Sequence, residues 1–228
     1  MDTGMQALVL EASPLFRGIP REHLQKALEA TPHQVLRYER GETIFFQMEA
    51  ASRVGIVLEG LVQAQKTFPN GSQVNMCQRG PGQLIGPAAV FSEDRRYPCD
   101  VVAAESSAVL MLQRGDLLSL MQRDGRILEN LMTEIASTAY LLQERLELMS
   151  YSGIAQKAAF WLLTQSRKTG DSRIPVPGSI SRWALLMNVS RPSLHRELRN
   201  LERQSILSVS PSAIRILDAA ALQEVLGR

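Results

Sequence analysis

The sequence has 228 residues, a length that fits one large domain or two small ones. It is 45% hydrophobic and 21% charged, as expected of a globular chain with a buried core. No apolar run approaches the ~20 residues that cross a bilayer, and the first residues lack the basic start and long apolar stretch of a signal peptide. The only cysteines, Cys77 and Cys99, exclude a disulfide framework and a four-cysteine zinc or iron–sulfur site within one chain. We therefore expect a cytoplasmic protein without a membrane partner.

Charge is distributed unevenly along the chain. Residues 1–150 contain 14 Lys and Arg against 18 Asp and Glu, a net charge of −4. Residues 151–228 contain 11 Lys and Arg against 5 Asp and Glu, a net charge of +6. A small basic segment after a larger acidic one suggests that the C-terminal part meets a polyanion, although surface charges that balance for solubility would give the same counts.

The first half of the chain reads as a helical entry followed by an all-β core. Apolar residues at helical spacing predict a helix over about 14–30, which Pro32 ends. From residue 34 to about 112, short β-like runs alternate with turns rich in Gly and Pro, and Asn70-Gly71 is typical of a β-hairpin. Many short strands of this kind predict a β-sandwich or jelly-roll barrel. The runs are VLRY, TIFF, VGIVLEG, LVQAQKTF, VNMCQ, LIGPAAVF, DVVAAE and AVLML.

A long helix is predicted from about residue 124 to residue 150. Its apolar residues step by three and four, as in a coiled-coil seam, and the helix would be about 38 Å long. A stripe of this kind can pack on its own domain, but this length exceeds what a compact β domain covers. We expect a homodimer seam formed by Leu128, Leu131, Ile135, Ala139, Leu142 and Leu146.

The C-terminal segment has the outline of a winged helix-turn-helix. A break at residues 151–153 precedes a helix (IAQKAAFWLLTQSR), a loop or short ribbon, two short helices (179–188 and 190–204) and a hairpin (ILSVS and AIRIL) around Pro211-Ser212. A last helix follows Asp218, a good N-cap. Asn188 lies between the two short helices, where a residue that tolerates the left-handed conformation is needed.

The second of these short helices is the strongest functional signal. Ser190 is placed to cap it, and Pro192 falls in the first turn. At 100° per residue, Leu194, Leu198 and Leu201 form one stripe, which should pack on Trp183, Leu186 and Val189. The opposite face contains three arginines, with the two glutamates of the helix lying off it, and this arrangement suits insertion into the major groove of DNA. The predicted DNA-binding residues are Ser190, Arg191, Ser193, His195, Arg196, Arg199 and Arg203.

Nearly the whole chain resembles the Crp/Fnr superfamily of bacterial transcription regulators. The resemblance lies in RGETIFFQ (40–47), GIVLEGLVQ (55–63), GQLIGPAAVF (82–91), the long helix and SISRWALLMNVSRPSLHREL (179–198). It implies an α+β protein with an N-terminal β jelly-roll barrel as sensor domain (1–123), a long dimerisation helix (124–150) and a C-terminal winged helix-turn-helix domain (151–228).

The resemblance also implies roles for individual residues of the recognition helix. Arg191 and Arg196 match the family's base- and phosphate-contacting arginines. Pro192 stands where the best-known members often have a Glu that reads a base, which removes an acceptor for cytosine N4. We therefore expect an operator that differs from theirs at that base pair. The family counterpart of residues 168–177 touches RNA polymerase; here this loop is a polymerase contact or a solvated connector, and the sequence favours neither.

The sensor half departs from the cyclic-AMP-binding members. They hold ribose and phosphate with a Gly-Glu pair followed by an Arg-Ser pair, whereas this chain has Pro87 at the Glu position and Tyr97-Pro98 at the Arg-Ser positions. A phosphate needs a cation and oriented donors, so we do not expect cyclic-nucleotide binding. The expected effector pocket comprises Gly86, Pro87, Arg95, Arg96, Tyr97, Pro98 and Cys99.

The sequence does not determine the chemical identity of the effector. An unidentified small molecule, such as an organic acid or phenol against Tyr97, Arg95 or Arg96, ranks first and an empty pocket second. Thiol or haem sensing ranks third, because haem needs an axial His or Cys, His23 and His33 lie near the entry helix, and a lone Cys in a β core is usually a small hydrophobe.

Three functions remain as hypotheses. The first is a homodimeric regulator that binds a palindromic operator under effector control, and the second is a constitutive DNA-binding regulator with an inert barrel. The third is a cupin-like metal enzyme, but such a site needs two or three His and a carboxylate, and residues 34–112 contain no His. We expect no catalytic residues and no metal site. The sequence does not distinguish activation from repression.

Overall fold

The computed structural model describes residues 3–68 and 73–227. The chain forms two compact units, the first ending at Thr138 and the second beginning at Ala139. This division falls inside the long helix, and the three-part division at residues 123 and 150 stays a prediction. The predicted Asn70-Gly71 turn lies outside the described residues.

The first unit contains two four-stranded antiparallel sheets. One has the strand order β1-β8-β3-β6 and the other β2-β7-β4-β5. The described strands form two jelly-roll-like sheets that do not close into a continuous barrel, and the predicted α+β class with an N-terminal jelly-roll-like region is confirmed. The strands are β1 (Gln34–Tyr38), β2 (Thr43–Phe45), β3 (Arg53–Glu59), β4 (Val62–Thr67), β5 (Gln73–Arg79), β6 (Leu84–Ile85), β7 (Asp100–Ala103) and β8 (Ser107–Gln113).

How deeply a strand of this unit is buried depends on its position in its sheet. β3 and β8 are central strands, and nearly all of their side chains are buried. β4 is less covered: Val62 belongs to the core, whereas Gln63, Ala64, Gln65 and Lys66 are only partly buried. Successive side chains of a strand point to opposite faces, so the buried Val62 identifies which alternate residues of β4 lie on the inner face.

In the described residues, four α-helices and a 3-10 turn accompany the two sheets, and the first three helices differ from the prediction. The run LIGPAAVF is not one strand, because Gly86 adopts φ +82 and Pro87 opens helix α3 (Pro87–Phe91). The entry is a helix α1 (Thr3–Glu11), a 3-10 turn (Pro14–Phe16) and a helix α2 (Arg21–Glu29), rather than one helix over 14–30. The sheets are followed by α4 (Arg114–Arg123).

The predicted long helix is present as α5 (Gly125–Ser150), but its apolar stripe is divided. Leu131 is only 3% exposed and belongs to the core of the first unit, against which Ile135 also packs. Leu131 is therefore wrong as a seam residue. Leu142 and Leu146 are 58% and 73% exposed, as a seam requires. Leu128 and Ala139 of the predicted seam are also exposed, and so is Met132, which the prediction omitted.

The second unit has the predicted helix and hairpin order. After α5 come α6 (Ile154–Thr169), β9 (Arg173–Pro175), α7 (Ile180–Leu186), α8 (Arg191–Arg203), β10 (Leu207–Val209), β11 (Ala213–Ile216) and α9 (Ala219–Leu226). The three strands form an antiparallel sheet of order β10-β11-β9. Asp218 caps α9 by accepting a hydrogen bond from the Ala221 amide at 2.9 Å.

Candidate nucleic-acid interface

Helix α8 begins where the sequence predicted. The Ser190 hydroxyl accepts a hydrogen bond from the Ser193 amide at 3.2 Å, which satisfies one of the unpaired donors of the first turn. Asn188 adopts φ +52, so the chain reverses between α7 and α8 through a left-handed residue, as predicted. These two features fix the angle at which α8 leaves the turn.

The apolar stripe of α8 determines which face of the helix meets solvent. Leu194, Leu198 and Leu201 are almost fully buried in the core of the second unit. Trp183 shares this core and is fully buried, with its ring centroid 4.8 Å from that of Trp161. The opposite face of α8 is therefore left to solvent.

One predicted partner of this stripe is wrong. Leu186 is 38% exposed, and the fully buried residue at the end of α7 is Met187. Met187 is the C-cap of α7, and its amide still bonds back to the Trp183 carbonyl, which turns its side chain into the core. Val189 is partly buried and packs against the same core, as expected.

The basic face of α8 is exposed, but it is less purely basic than predicted. Arg191, His195, Arg196, Arg199 and Arg203 are all exposed. Arg199 Nη1 lies 2.5 Å from Glu202 Oε2, and Arg196 Nε lies 3.6 Å from Glu197 Oε1. Within residues 3–68 and 73–227, no carboxylate oxygen lies within 4.0 Å of a side-chain nitrogen of Arg191 or Arg203.

Glu202 joins α8 to the hairpin. Its Oε1 accepts a hydrogen bond from the Val209 amide of β10 at 2.9 Å while Oε2 binds Arg199. The Val209 amide, and after it Arg199, hold the pKa of Glu202 below its ordinary value. Helical projection placed Glu202 beside the basic face but carried no signal for this contact, because the position of β10 depends on tertiary structure.

The small sheet places two further arginines that the sequence pattern did not single out. Arg173 of β9 and Arg215 of β11 are directly opposite in register, and both are exposed. Directly opposed residues of an antiparallel pair share a face, so these arginines concentrate positive charge on one face of the small sheet. The alternation of buried and exposed residues in AIRI could have indicated that Arg215 points outward.

In the first unit, the predicted effector residues divide into a buried group and an exposed group. The ring of Tyr97 is buried and stacks on Phe45 with 4.3 Å between centroids and 5° between planes. The Tyr97 hydroxyl donates to the Arg53 carbonyl at 2.7 Å and accepts from the Arg53 amide at 3.3 Å. Burial raises the pKa of Tyr97. A methyl group on Gly86 would lie 3.1 Å from Tyr97 Cε1 and 3.2 Å from Phe45 Cε2, so these rings occupy the space beside Gly86.

The charged members of the predicted pocket lie on the surface. Arg95 and Arg96 are exposed, and Arg96 Nη1 donates to the Met48 carbonyl at 2.8 Å. Pro98 is exposed and Pro87 partly buried, whereas Cys99 is only 8% exposed. The structure thus brings Gly86 and Tyr97 together, whereas both arginines are exposed and Arg96 bonds to the loop that contains Met48.

In the described part of the chain, no three His, Cys, Asp or Glu residues gather as a metal site would require. His23 and His33 are exposed. None of the described helices is long and apolar enough to cross a membrane.

Comparison with known proteins relates both units to transcription regulators. The family model described as cyclic nucleotide-binding domain matches residues 35–124, and that described as Crp-like helix-turn-helix domain matches residues 156–225. The chain is 26% identical to the cyclic AMP receptor protein of Thermus thermophilus, covering 95% of this chain and 98% of that protein. It is 22% identical to the global nitrogen regulator of Synechococcus elongatus, covering 85% and 90%. The crystal structure of the Thermus thermophilus catabolite activator protein is similar with a TM-score of 0.56 and 26% identity, covering 94% of this chain and 99% of that one. The chain therefore belongs to the Crp/Fnr family of DNA-binding transcription regulators.

Proposed function

We propose that this protein is a homodimeric regulator, rather than an enzyme, that reads a two-fold symmetric operator with helix α8. The observation that carries the proposal is the arrangement of α8, with three leucines buried behind it and five basic side chains exposed in front. Side chains near the N-terminal end, Arg191, Ser193, His195 and Arg196, are placed to reach base edges. Arg199 and Arg203, farther along, are placed for phosphates.

The exposed apolar face of α5 supports dimerisation. Leu128, Met132, Ala139, Leu142 and Leu146 lie within about 40° of one line along the helix. A lone chain would leave this line in water, and a second copy of α5 would cover it with an identical line, as in other two-stranded seams. A two-fold dimer binds half-sites one helical turn, about 34 Å, apart.

The structure of the first unit favours an effector other than a cyclic nucleotide. The rings of Tyr97 and Phe45 fill the space beside Gly86, Pro87 replaces a carboxylate, and both hydrogen-bonding functions of the Tyr97 hydroxyl are satisfied by Arg53. An effector would act by shifting the population between two dimer states, with α5 as the element that both units share. The alternative is a constitutive regulator whose sensor is inert, which any ligand-dependent change in DNA affinity would contradict.

A contact with RNA polymerase through residues 168–177 belongs to the same proposal. Within this loop, Lys168 Nζ lies 2.6 Å from Glu144 Oε2 of α5.

The proposed function predicts a palindromic consensus. We expect purified protein to enrich, from a random pool of duplexes, two inverted half-sites about one helical turn apart. Because Pro192 offers no side-chain acceptor, the base pair it faces should show weak preference. Enrichment of a single unrepeated half-site would contradict the symmetric dimer, and the absence of any enrichment would contradict an effector-independent DNA-binding form.

Arg196 tests whether the basic face of α8 contacts DNA. We expect Arg196→Ala to weaken binding to the selected operator by roughly 1–3 kcal/mol, because a hydrogen-bonded base or phosphate contact is lost. Its 3.6 Å ion pair with Glu197 is exposed and contributes little to folding. Fluorescence anisotropy at fixed salt measures the change. Arg37→Ala, which removes an exposed arginine of β1 in the first unit, is the matched control and should bind like the parent.

The dimer seam is tested by placing a charge on it. We expect Leu146→Asp to convert the protein to a monomer in sedimentation velocity and to weaken operator binding at least tenfold, since buried carboxylates in a seam are strongly unfavourable. Tyr140→Asp introduces the same charge on an exposed position about 120° away around α5 and should stay dimeric. If both variants sediment alike, the α5 face is not the seam.

Cyclic AMP and cyclic GMP should leave the protein unchanged. We expect equilibrium dialysis to detect no binding of either nucleotide at up to roughly 1 mM, and anisotropy to give the same operator affinity with and without them, because a phosphodiester finds neither a cation nor space beside Tyr97. The cyclic AMP receptor protein of Thermus thermophilus is the positive control for the assay. Saturable binding with micromolar affinity would contradict the filled-pocket interpretation.

A further inference from the structure

The second sheet of the first unit has an outer face, opposite the face that covers the core. Val62 of β4 is buried in the core, so the next residue, Gln63, points to the outer face. Gln63 is in register with Gln78 of β5 on one side and with Val102 of β7 on the other. Cross-strand partners share a face, so Gln63, Gln78 and Val102 form a row across the outside of the sheet.

An open cavity of about 490 Å³ lies on this outer face, at the end of the sheet where β4 begins and β7 ends. Gln63, Gln78 and Val102 line it, and so does Gln65, which is two residues farther along β4 and therefore on the same face. Small-molecule sites typically have volumes of roughly 300–1,000 Å³. The cavity is thus large enough for a small molecule, and it lies on the opposite side of the sheet from Val62 and the core.

The cavity has an apolar floor beneath a group of amides. Val102 is only 7% exposed although it does not belong to the core, so side chains of the outer face cover it. Leu61, just before β4, adds a second apolar side chain to the lining. Gln63 Nε2 donates to Gln65 Oε1 at 3.3 Å. A side-chain amide has two N–H donors and an oxygen that accepts two hydrogen bonds, so this bond uses only part of what the two amides offer a ligand.

One cation and one anion also line the cavity. Arg40 lies in the turn before β2 and Glu105 in the turn after β7, and both side chains are exposed. The Gly41 amide donates to the Ala103 carbonyl at 2.8 Å, which holds the two turns side by side. Within the described part of the chain, neither Arg40 nor Glu105 forms an ion pair. Two opposite charges are therefore presented to the same cavity without neutralising each other.

This lining distinguishes between classes of ligand. A simple anion would meet Glu105 as well as Arg40, in a segment (1–150) whose net charge is −4. An apolar ligand would cover the charged and amide groups without offering them hydrogen bonds, which is costly. Among the described residues that line the cavity, none is aromatic, so a flat ring has no partner for stacking. A small ligand that has both a positive and a negative group, and a polar body, satisfies every part of the lining.

We propose that this outer cavity binds a free α-amino acid with a polar, uncharged side chain. Arg40 binds its carboxylate, and Glu105 binds its ammonium group. These two groups share one carbon atom in the ligand, which suits cation and anion on two turns that are hydrogen-bonded to each other. The amides of Gln63, Gln65 and Gln78 bind the ligand side chain above Val102. The site goes beyond the proposed function, because neither α8 nor the exposed face of α5 takes part in it.

L-Glutamine is the probe, because its side-chain amide can both donate to the three glutamines and accept from them. We expect a titration of the full-length protein, followed by NMR of ¹⁵N-labelled glutamine side chains, to shift the amide signals of Gln63, Gln65 and Gln78 saturably. Gln113, at the end of β8 in the other sheet, should not shift. N-acetyl-L-glutamine lacks the ammonium group and L-glutaminamide lacks the carboxylate, so each should bind roughly fivefold more weakly or worse.

Matched variants assign each charge of the ligand to one residue. Arg40→Gln should weaken L-glutamine binding roughly fivefold or more without weakening L-glutaminamide, because only the carboxylate contact is lost. Glu105→Gln should weaken L-glutamine binding in the same way without weakening N-acetyl-L-glutamine. The control is Arg37→Gln with Glu59→Gln, an exposed arginine and glutamate of the first sheet, and it should bind like the parent. An unchanged midpoint of thermal unfolding verifies that each variant is folded.

Several outcomes would overturn the proposal. They are the absence of saturation by L-glutamine at up to roughly 10 mM, shifts centred away from the three glutamines, and an equal loss of all three ligands in Arg40→Gln or in the control. Failure of the regulator is a separate result, since the titration contains no DNA. A parent that binds L-glutamine but selects no operator would retain this site and contradict the regulator. A parent that selects an operator but does not bind L-glutamine would retain the regulator and overturn the amino-acid site.

Discussion

The burial of one stripe of α8 is the constraint on which the DNA-binding unit depends. The core that contains Trp183 shields Leu194, Leu198 and Leu201 from water. The helix therefore cannot rotate about its axis without exposing these leucines. Fixing this rotation fixes the exposed face, where the arginines lie. Glu202 adds a second restraint, because it binds the Val209 amide and Arg199 at once and so joins the helix to the hairpin. The direction of the basic side chains is thus set by packing before any DNA is bound.

In the sensor unit, one side chain determines two properties of the space beside Gly86. The ring of Tyr97 occupies that space by stacking on Phe45, and it brings no positive charge there for a phosphate to meet. The hydroxyl would be costly to bury alone, but the Arg53 backbone satisfies it as both donor and acceptor. The tyrosine is therefore a well-satisfied core residue, and a ligand could not recruit it without breaking two hydrogen bonds.

The parts of the fold that local patterns determine were predictable from the sequence. The cap at Ser190, the left-handed Asn188 and the length of α5 each depend on a few neighbouring residues, and all three are confirmed. The division of the α5 stripe was not predictable, because Leu131 and Leu128 look alike in a heptad and only the presence of the first unit's core separates them. The exposure of Leu186 and the contact of Glu202 with the Val209 amide are likewise tertiary outcomes, set by which residue ends α7 and by where β10 lies. The Arg199–Glu202 ion pair is local instead, because the two residues are three apart on one helix.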